Sequence, residues 1–311
     1  MKIMDQAQIK AAYRPELAAQ LIRDGFIAYS QGRTQLPPVQ HFAFAQANGD
    51  CCVKAGYLEG DALFVIKVAS GFYDNRKLGL DSTQGLMMAF SAETGVPAAL
   101  LLDGGWLTAM RTALAGRLAA GLLAPARVDT IGIVGAGMQA RLQLQALQAV
   151  SRCRNVIVWG RSQDEMARFR EDFERQGYTV EASTDAERLA RQSQLIVTCT
   201  PSTQPILHAE WIAPGTHITA AGADSAGKQE LDAALVARAS VIAVDSVAQC
   251  AEYGEVQHAL RAGLIRREQL VELGHMLAGT QPGRSDQQQI TVADLTGLAI
   301  QDVQIAKSVL L

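Results

Sequence analysis

Thr130-Ile131-Gly132-Ile133-Val134-Gly135-Ala136-Gly137-Met138-Gln139-Ala140 is the stretch that decides the fold. An apolar strand runs into a Gly-x-Gly-x-x-Ala turn, and a helix leaves from Met138. Gly135 permits the tight turn, Gly137 lets the backbone approach a pyrophosphate, and Ala140 lets the helix pack close to the strand. The helix start offers N–H groups and the positive end of its dipole to phosphate. A second strand, Asn155 to Trp159, follows after one helix, where a βαβ unit places it. Further strands are expected over 178–182, 195–200, 217–221 and 241–245, with helices between most of them. That order implies a doubly wound parallel sheet of the Rossmann type.

The end of the second strand bears on the cofactor. An NAD site places an Asp or Glu there for the ribose 2′-hydroxyl. This chain reads Trp159-Gly160-Arg161-Ser162, without a carboxylate. A guanidinium beside a hydroxyl suits a 2′-phosphate, so the expectation is NADP, with NAD second. The bland alternative is a solvated Arg161 at the start of the following helix.

Composition sets the frame. A chain of 311 residues, 49% hydrophobic and 19% charged, has room for two globular domains. A net charge of -3 argues against nucleic acid or an anionic membrane as the main partner. The start, Met1-Lys2-Ile3-Met4-Asp5-Gln6, lacks a signal-peptide core, and no apolar run is long enough to span a bilayer. The five cysteines form no Cys-x-x-Cys pair, which reads as reduced cytoplasmic thiols. The five histidines show no ligand spacing, and no metal site is expected.

Ahead of the nucleotide unit, Pro15 opens a helix running to about Gln31, ended by Gly32. From Val39 to Val68 the pattern changes to short strands, with Asn48-Gly49 as a hairpin signal. Strands over 86–90 and 98–103 precede an alanine-rich helix from Leu107 to Leu123. The closing stretch from Asp294 to Leu311 reads as an amphipathic helix that packs back on the N-terminal part.

Lys67 sits between Ile66 and Val68 in a strand. It points either to water, as an alternating strand allows, or into a cleft, where burial would favour its neutral form and fit it for proton transfer. Lys54 poses the same choice. Arg111, early in its helix, is placed to clamp a carboxylate or to lie on the surface. Asp224 follows a parallel strand on the carboxyl edge, where such sheets bind ligands, and Thr200-Pro201 ends another.

Taken together, these segments resemble the ornithine cyclodeaminase/mu-crystallin family over nearly the whole chain. The matching pieces are Phe64 to Val68, Thr108-Ala109-Met110-Arg111-Thr112-Ala113, the Gly135 to Ala140 turn, Pro205-Ile206-Leu207 with Glu210-Trp211, Gly222 to Asp232, and Gly297 to Asp302. The resemblance implies a Rossmann NADP-binding domain, 119–290, inserted in a smaller α+β substrate-binding and dimerisation domain, 1–118 plus 291–311. It implies that Lys67 and Arg111 hold the substrate carboxylate, that Lys67 assists proton transfer, and that Asp224 is the acid–base residue. The resemblance also implies a substrate set completed by Lys54, Gln40 and Thr296, and a cofactor surrounded by Thr112, Gly135, Gly137, Met138, Gln139, Arg161, Ser162, Thr200, Ala220, Ala221 and Lys228.

Two departures redirect the expected activity. Cyclodeaminases of the family carry an Asp at the second strand end, where Gly160-Arg161 stands here. Many relatives carry an arginine after the Pro-Pro near position 38, where this chain has Val39-Gln40-His41, leaving Lys54 or Gln40 to take over. The segments 222–232 and 297–307 look most like the alanine-dehydrogenase branch. The expectation is therefore a homodimeric NADP-dependent L-amino-acid dehydrogenase that also reduces imines. A basic substrate such as arginine is one option, with Asp74, Asp81 or Asp103 as conceivable partners. Ornithine cyclodeamination with recycled NAD is the alternative, and a non-catalytic binding protein like mu-crystallin is the third.

Overall fold

The computed structural model describes residues 1–311, the side chain of Arg76 excepted. The chain forms two compact units, Met1–Arg111 with Leu298–Leu311, and Thr112–Gly297. The first division falls inside helix Trp106–Leu123, earlier than the expected 118. The second falls later than the expected 291, because Thr291–Asp294 is a strand of the second unit. Four residues ending in an acid, after a glutamine-rich stretch, carry too little apolar alternation to signal a strand. Their place is set by pairing on both sides, with His217–Ala220 and Val241–Val244.

In the first unit, strands Lys2–Asp5, Pro97–Leu102, Thr83–Ser91, Leu63–Phe72 and Gly49–Leu58 lie side by side in that order. Thr34–Gln35 and Gln40–Phe44 both pair with the last of these. All pairings are antiparallel except that of Lys2–Asp5 with Pro97–Leu102. The expected hairpin is present, with Asn48 in the left-handed region between Gln40–Phe44 and Gly49–Leu58.

Side chains alternate between the two faces of a strand, and the register aligns Lys54, Lys67, Met87 and Leu101 in one buried row. Helix Ala299–Leu310 packs on this part of the sheet and against helix Pro15–Ser30. A Cβ on Gly56 would lie 3.1 Å from Val303 Cγ2 and 3.2 Å from the Ala299 carbonyl, so the helix sits close over that strand. The opposite face, with Tyr57, Phe64, Ile66, Met88, Phe90 and Leu100, is apolar and only half-buried.

The C-terminal helix differs from the amphipathic expectation. Gln301, Asp302, Gln304 and Ser308 are as buried as Ile300, Val303 and Ile305. A helix buried on nearly all sides normally has apolar residues throughout, so its polar residues need polar partners inside.

The second unit is the expected Rossmann architecture. Its sheet runs Thr179–Ser183, Asn155–Trp159, Ile131–Val134, Leu195–Thr198, His217–Ala220, Thr291–Asp294, Val241–Val244, Leu270–Glu272, and every pairing is parallel. Apolar clusters lie on both faces, one around Ile133, Phe169 and Val197 and one around Ile196, Ile218 and Leu235. The sequence order reverses between Ile131–Val134 and Leu195–Thr198, the point at which open α/β sheets bind ligands. Outside this sheet, Thr203–Leu207 and Gln229–Leu231 form a two-stranded parallel ribbon.

Candidate active site

The first unit buries three cations around one carboxylate. Lys67 Nζ lies 2.8 Å from Asp302 Oδ2, and Arg111 Nε donates to Asp302 Oδ1 at 3.1 Å. Arg111 Nη1 donates to Gln301 Oε1 at 2.9 Å. Lys67 and Asp302 are each 1% exposed, and Lys54 and Arg111 each 7%. Burial works to raise the Asp302 pKa, but Lys67, Arg111 and Lys54 more than offset it and hold the carboxyl below its ordinary value. Lys54 is pushed down to about 8 by burial, then by Lys67 and Arg111, with Asp302 and Cys52 opposing. The choice left open for the two strand lysines is thus settled toward the interior. Asp302 is the partner that makes their burial tolerable.

Asp103 lies at the end of strand Pro97–Leu102, where its Oδ2 accepts from the Leu107 N–H at 2.7 Å. Burial raises its pKa, while the Leu107 and Gly105 amides and Lys67 pull the other way. Asp74 is paired with Lys77 at 3.0 Å, and Asp81 is exposed. Gln40 does not join the cation cluster. It pairs with Val53 in register, so its side chain lies on the sheet face opposite Lys54.

In the second unit, Gly135 leaves strand Ile131–Val134 with φ +116°, a conformation that favours glycine. Its N–H donates to the Trp159 carbonyl at 2.8 Å, and the Cys199 N–H donates to the Val134 carbonyl at 3.0 Å. A Cβ at Gly135 would press on Cys199 Sγ at 3.2 Å, whereas at Gly137 it would meet open space. Gly137 is the N-cap of helix Met138–Ala146, and no side chain caps that end. Ala140 is fully buried, as close helix–strand packing requires, and Gln139 Nε2 is buried without a hydrogen-bond partner. Backbone amides facing open space at a switch point fit the pyrophosphate of a dinucleotide.

Arg161 stands exposed just beyond strand Asn155–Trp159. Ser162 is the N-cap of helix Gln163–Glu174, its Oγ accepting from the Glu165 N–H at 3.3 Å. Ala220 ends its strand buried, and Ala221 follows half-buried, its N–H donating to the Thr198 carbonyl at 2.9 Å. Asp224 is exposed, with Oδ1 2.6 Å from Lys228 Nζ. The Thr112 carbonyl accepts from Gln143 Nε2 at 3.2 Å. Thr296 is buried, donating to Asp245 Oδ1 at 2.9 Å and accepting from Gln249 Nε2 at 2.9 Å.

Sequence reasoning passed over two carboxylates. Asp302 carries no local signal beyond an acid in an apolar helix. Glu230 Oε1 accepts from the Thr200 N–H (2.6 Å) and Thr200 Oγ1 (2.8 Å). Its Oε2 accepts from Thr198 Oγ1 (2.7 Å) and the Gly222 N–H (2.9 Å). One buried side chain thus ties together the loops after two adjacent strands, both on the carboxyl edge. A Cβ at Gly222 would overlap Glu230 Oε2 and the Thr200 carbonyl, so the loop bearing Asp224 needs glycine there. Burial pushes Glu230 up to about 7 against these four hydrogen bonds, which favour its ionised form. Glu255 braces the same strand from behind, accepting from the Glu230 and Leu231 amides at 2.7 and 2.9 Å.

The ornithine cyclodeaminase/mu-crystallin family model matches residues 1–310. An uncharacterized cyclodeaminase of Sinorhizobium fredii is 40% identical over 98% of this chain and 94% of its own length. The iminosuccinate reductase of Paracoccus denitrificans is 36% identical over 99% of this chain and 95% of its own. The solved structure of that reductase, in complex with NAD+, superposes with a TM-score of 0.89 at 34% identity, covering 100% of this chain and 95% of the other. An archaeal alanine dehydrogenase dimer with bound NAD gives a TM-score of 0.91 at 33% identity, covering 99% and 94%. With the Rossmann turn of one unit and the buried lysine strand of the other, the chain belongs to the ornithine cyclodeaminase/mu-crystallin family.

Proposed function

We propose that the protein is an NADP-dependent L-amino-acid dehydrogenase that also runs in reverse as an imine reductase. The observation that carries the reading is the burial of Lys67 and Arg111 on a single carboxylate, in a chain whose other unit holds a dinucleotide turn. The coarser activity, an NAD(P)-dependent oxidoreductase acting on amino or imino acids, agrees with the relatives named iminosuccinate reductase and alanine dehydrogenase. The preference for NADP rests on Arg161 and Ser162, in the absence of an acid at that strand end.

Gly135, Gly137, Met138 and Gln139 would hold the pyrophosphate, and Arg161 with Ser162 the 2′-phosphate. Thr112, Thr200, Ala220, Ala221 and Lys228 would line the rest. When bound, the cofactor takes up or supplies a hydride at nicotinamide C4. Lys67 and Arg111 hold the substrate carboxylate, with their positions fixed by Asp302 and Gln301. Asp224, paired with Lys228, would take a proton from the substrate ammonium and release it to solvent. It would then take a proton from the water that adds to the imino carbon and pass it to the departing amine. Over a full oxidative turnover, amino acid, NADP+ and water give 2-oxo acid, ammonium, NADPH and one proton.

The partner for assembly is a second copy of the chain, docking through the half-buried apolar face of the first unit's sheet. No described helix is long and apolar enough to cross a membrane, and five free thiols suit a reducing cytoplasm. The test is nicotinamide absorbance with NADP+ or NAD+ against each common L-amino acid, and with NADPH against 2-oxo acids plus ammonium. Turnover in either direction is expected. Ammonia and proline released from ornithine without net reduction would instead establish the cyclodeaminase reading, which the name of the Sinorhizobium relative keeps in play.

A further inference from the structure

Glu230 is fully buried in the two-stranded ribbon beside the second unit's sheet. Each of its carboxylate oxygens accepts from one backbone N–H and one threonine hydroxyl. Oε1 takes the Thr200 N–H and Thr200 Oγ1, and Oε2 takes the Gly222 N–H and Thr198 Oγ1. A hydroxyl can turn and accept instead, but a backbone N–H can only donate. The two N–H groups stand on opposite oxygens, so an acceptor is needed on both sides. A glutamine of the same length would turn its NH2 group toward one of them, whichever way it lay. A carboxylate meets both, which explains why the chain keeps one here although burial opposes its charge and raises its pKa to about 7.

The two N–H groups belong to different loops. Thr200 lies just beyond strand Leu195–Thr198, in a loop that abuts the dinucleotide turn. A Cβ on Gly135 would lie 3.2 Å from Cys199 Sγ and 3.3 Å from the Cys199 carbonyl oxygen. Gly222 begins the loop that follows strand His217–Ala220 and leads to Asp224 and Lys228. The far end of that loop is held separately, with His258 Nε2 3.0 Å from the Lys228 carbonyl oxygen. Glu230 is thus where the start of the second loop is fastened to the first.

We infer that Glu230 is a positioning residue for cofactor binding, acting as a carboxylate that holds the Thr200 and Gly222 amides at fixed places beside the dinucleotide turn. Release of either amide frees one wall of the cofactor site: Thr200 on one side, Ala221 and the loop to Lys228 on the other. The inference rests on the reading above that these loops line the cofactor.

The test is fluorescence titration of the purified protein with NADPH and with NADH, which needs no amino-acid substrate. The cofactor that binds wild type more tightly then serves for the variants. Glu230→Gln keeps the size of the side chain and loses one backbone acceptor. It should raise the Kd about tenfold, the contribution of one hydrogen bond to a charged group. Thr198→Val withdraws one hydroxyl and leaves both N–H groups their acceptors, so a rise of about threefold is expected. Glu255→Gln is the control for mere support of the strand. Glu255 accepts from the Glu230 and Leu231 amides, so its glutamine meets the same donor conflict without touching either loop. Whatever Tm that variant loses, its Kd should stay close to that of wild type. An unchanged Kd in Glu230→Gln, or an equal rise in Glu255→Gln, overturns the inference. Should Glu230→Gln fail to fold, Thr198→Val decides, and an unchanged Kd there overturns it equally. A wild type that binds cofactor but turns over no amino or imino acid sinks the dehydrogenase reading and leaves this comparison standing. A wild type that binds neither cofactor removes both.

Discussion

Arg161 and Lys54 are the residues at which the proposed cofactor preference and the proposed substrate site are tested most directly. Arg161 is exposed and Ser162 already caps a helix, so a 2′-phosphate would be met by a solvent-facing guanidinium and a partly engaged hydroxyl. Arg161→Ala is therefore expected to raise KM for NADP+ by about tenfold while leaving NAD+ nearly unaffected. Equal losses with both cofactors would show that Arg161 does not read the phosphate. Lys54 adds a pH signature. Its pKa is lowered to about 8 by burial and by Lys67 and Arg111, with Asp302 and Cys52 opposing, so it is charged below that pH and neutral above. With Lys54 holding a substrate carboxylate, kcat/KM should fall as pH rises through about 8. Lys54→Arg should abolish that limb, because a guanidinium stays protonated. A limb that persists in Lys54→Arg belongs to another group. At this scale the sequence could locate both strand lysines but not aim them. Alternation alone favours the outward orientation, and the inward one depends on Asp302, more than two hundred residues away along the chain.

Strands and helices were more legible than the contacts between them. The Gly135–Ala140 turn announced the parallel sheet because a strand, a glycine turn and a helix follow in one short stretch. The pairing of Thr291–Asp294 between two other strands is non-local, and four residues cannot announce it. The C-terminal helix misled for a related reason: its polar residues look solvent-facing until their partners are known. Buried polar groups inside the second sheet also set its response to pH. His217 lies at 0% exposure between Thr291 Oγ1 and Thr219 Oγ1, each at 2.9 Å from a ring nitrogen. Burial, then Arg284, depress its pKa to about 3 against the Thr291 contact. Below pH 6.5 the unfolded chain gains a proton there that the folded chain refuses, so stability falls on acidification. The loss comes to about 2 kcal/mol between about pH 6.5 and pH 5. Glu230 and Asp294, each raised to about 7 chiefly by burial, act in the opposite sense, favouring the fold as pH falls toward the unfolded carboxylate range. Urea unfolding of wild type and His217→Gln across that range separates the two, since the carboxylates are common to both. The wild type should lose about 2 kcal/mol relative to the variant, and parallel curves would mean that His217 protonates in the folded protein.

At the scale of the whole molecule, the proposed dimer makes a claim about one face of the first unit's sheet. One side of the first unit's sheet is covered by the C-terminal helix. The other presents Tyr57, Phe64, Ile66, Met88, Phe90 and Leu100, half-buried, with Leu102 43% exposed at its margin. Phe64 and Phe90 stack there at 5.1 Å between centroids, so the surface is ordered rather than a scatter of single apolar residues. A contiguous apolar face of this kind is where the proposed second copy would dock, and a two-fold axis through it would let the same patch serve both copies. Met88 and Leu100 are directly paired in register, so two charges placed there act on a single spot. Around a two-fold axis they become four carboxylates in a desolvated contact, a cost of several kcal/mol. The wild type should sediment as a dimer, and Met88→Glu combined with Leu100→Glu should sediment as a monomer at micromolar concentration. Because both positions lie on the face away from Lys67 and Asp302, the variant should still fold and should still bind NADP+ through its second unit. A monomeric wild type, or a double variant that remains a dimer, would move the interface elsewhere.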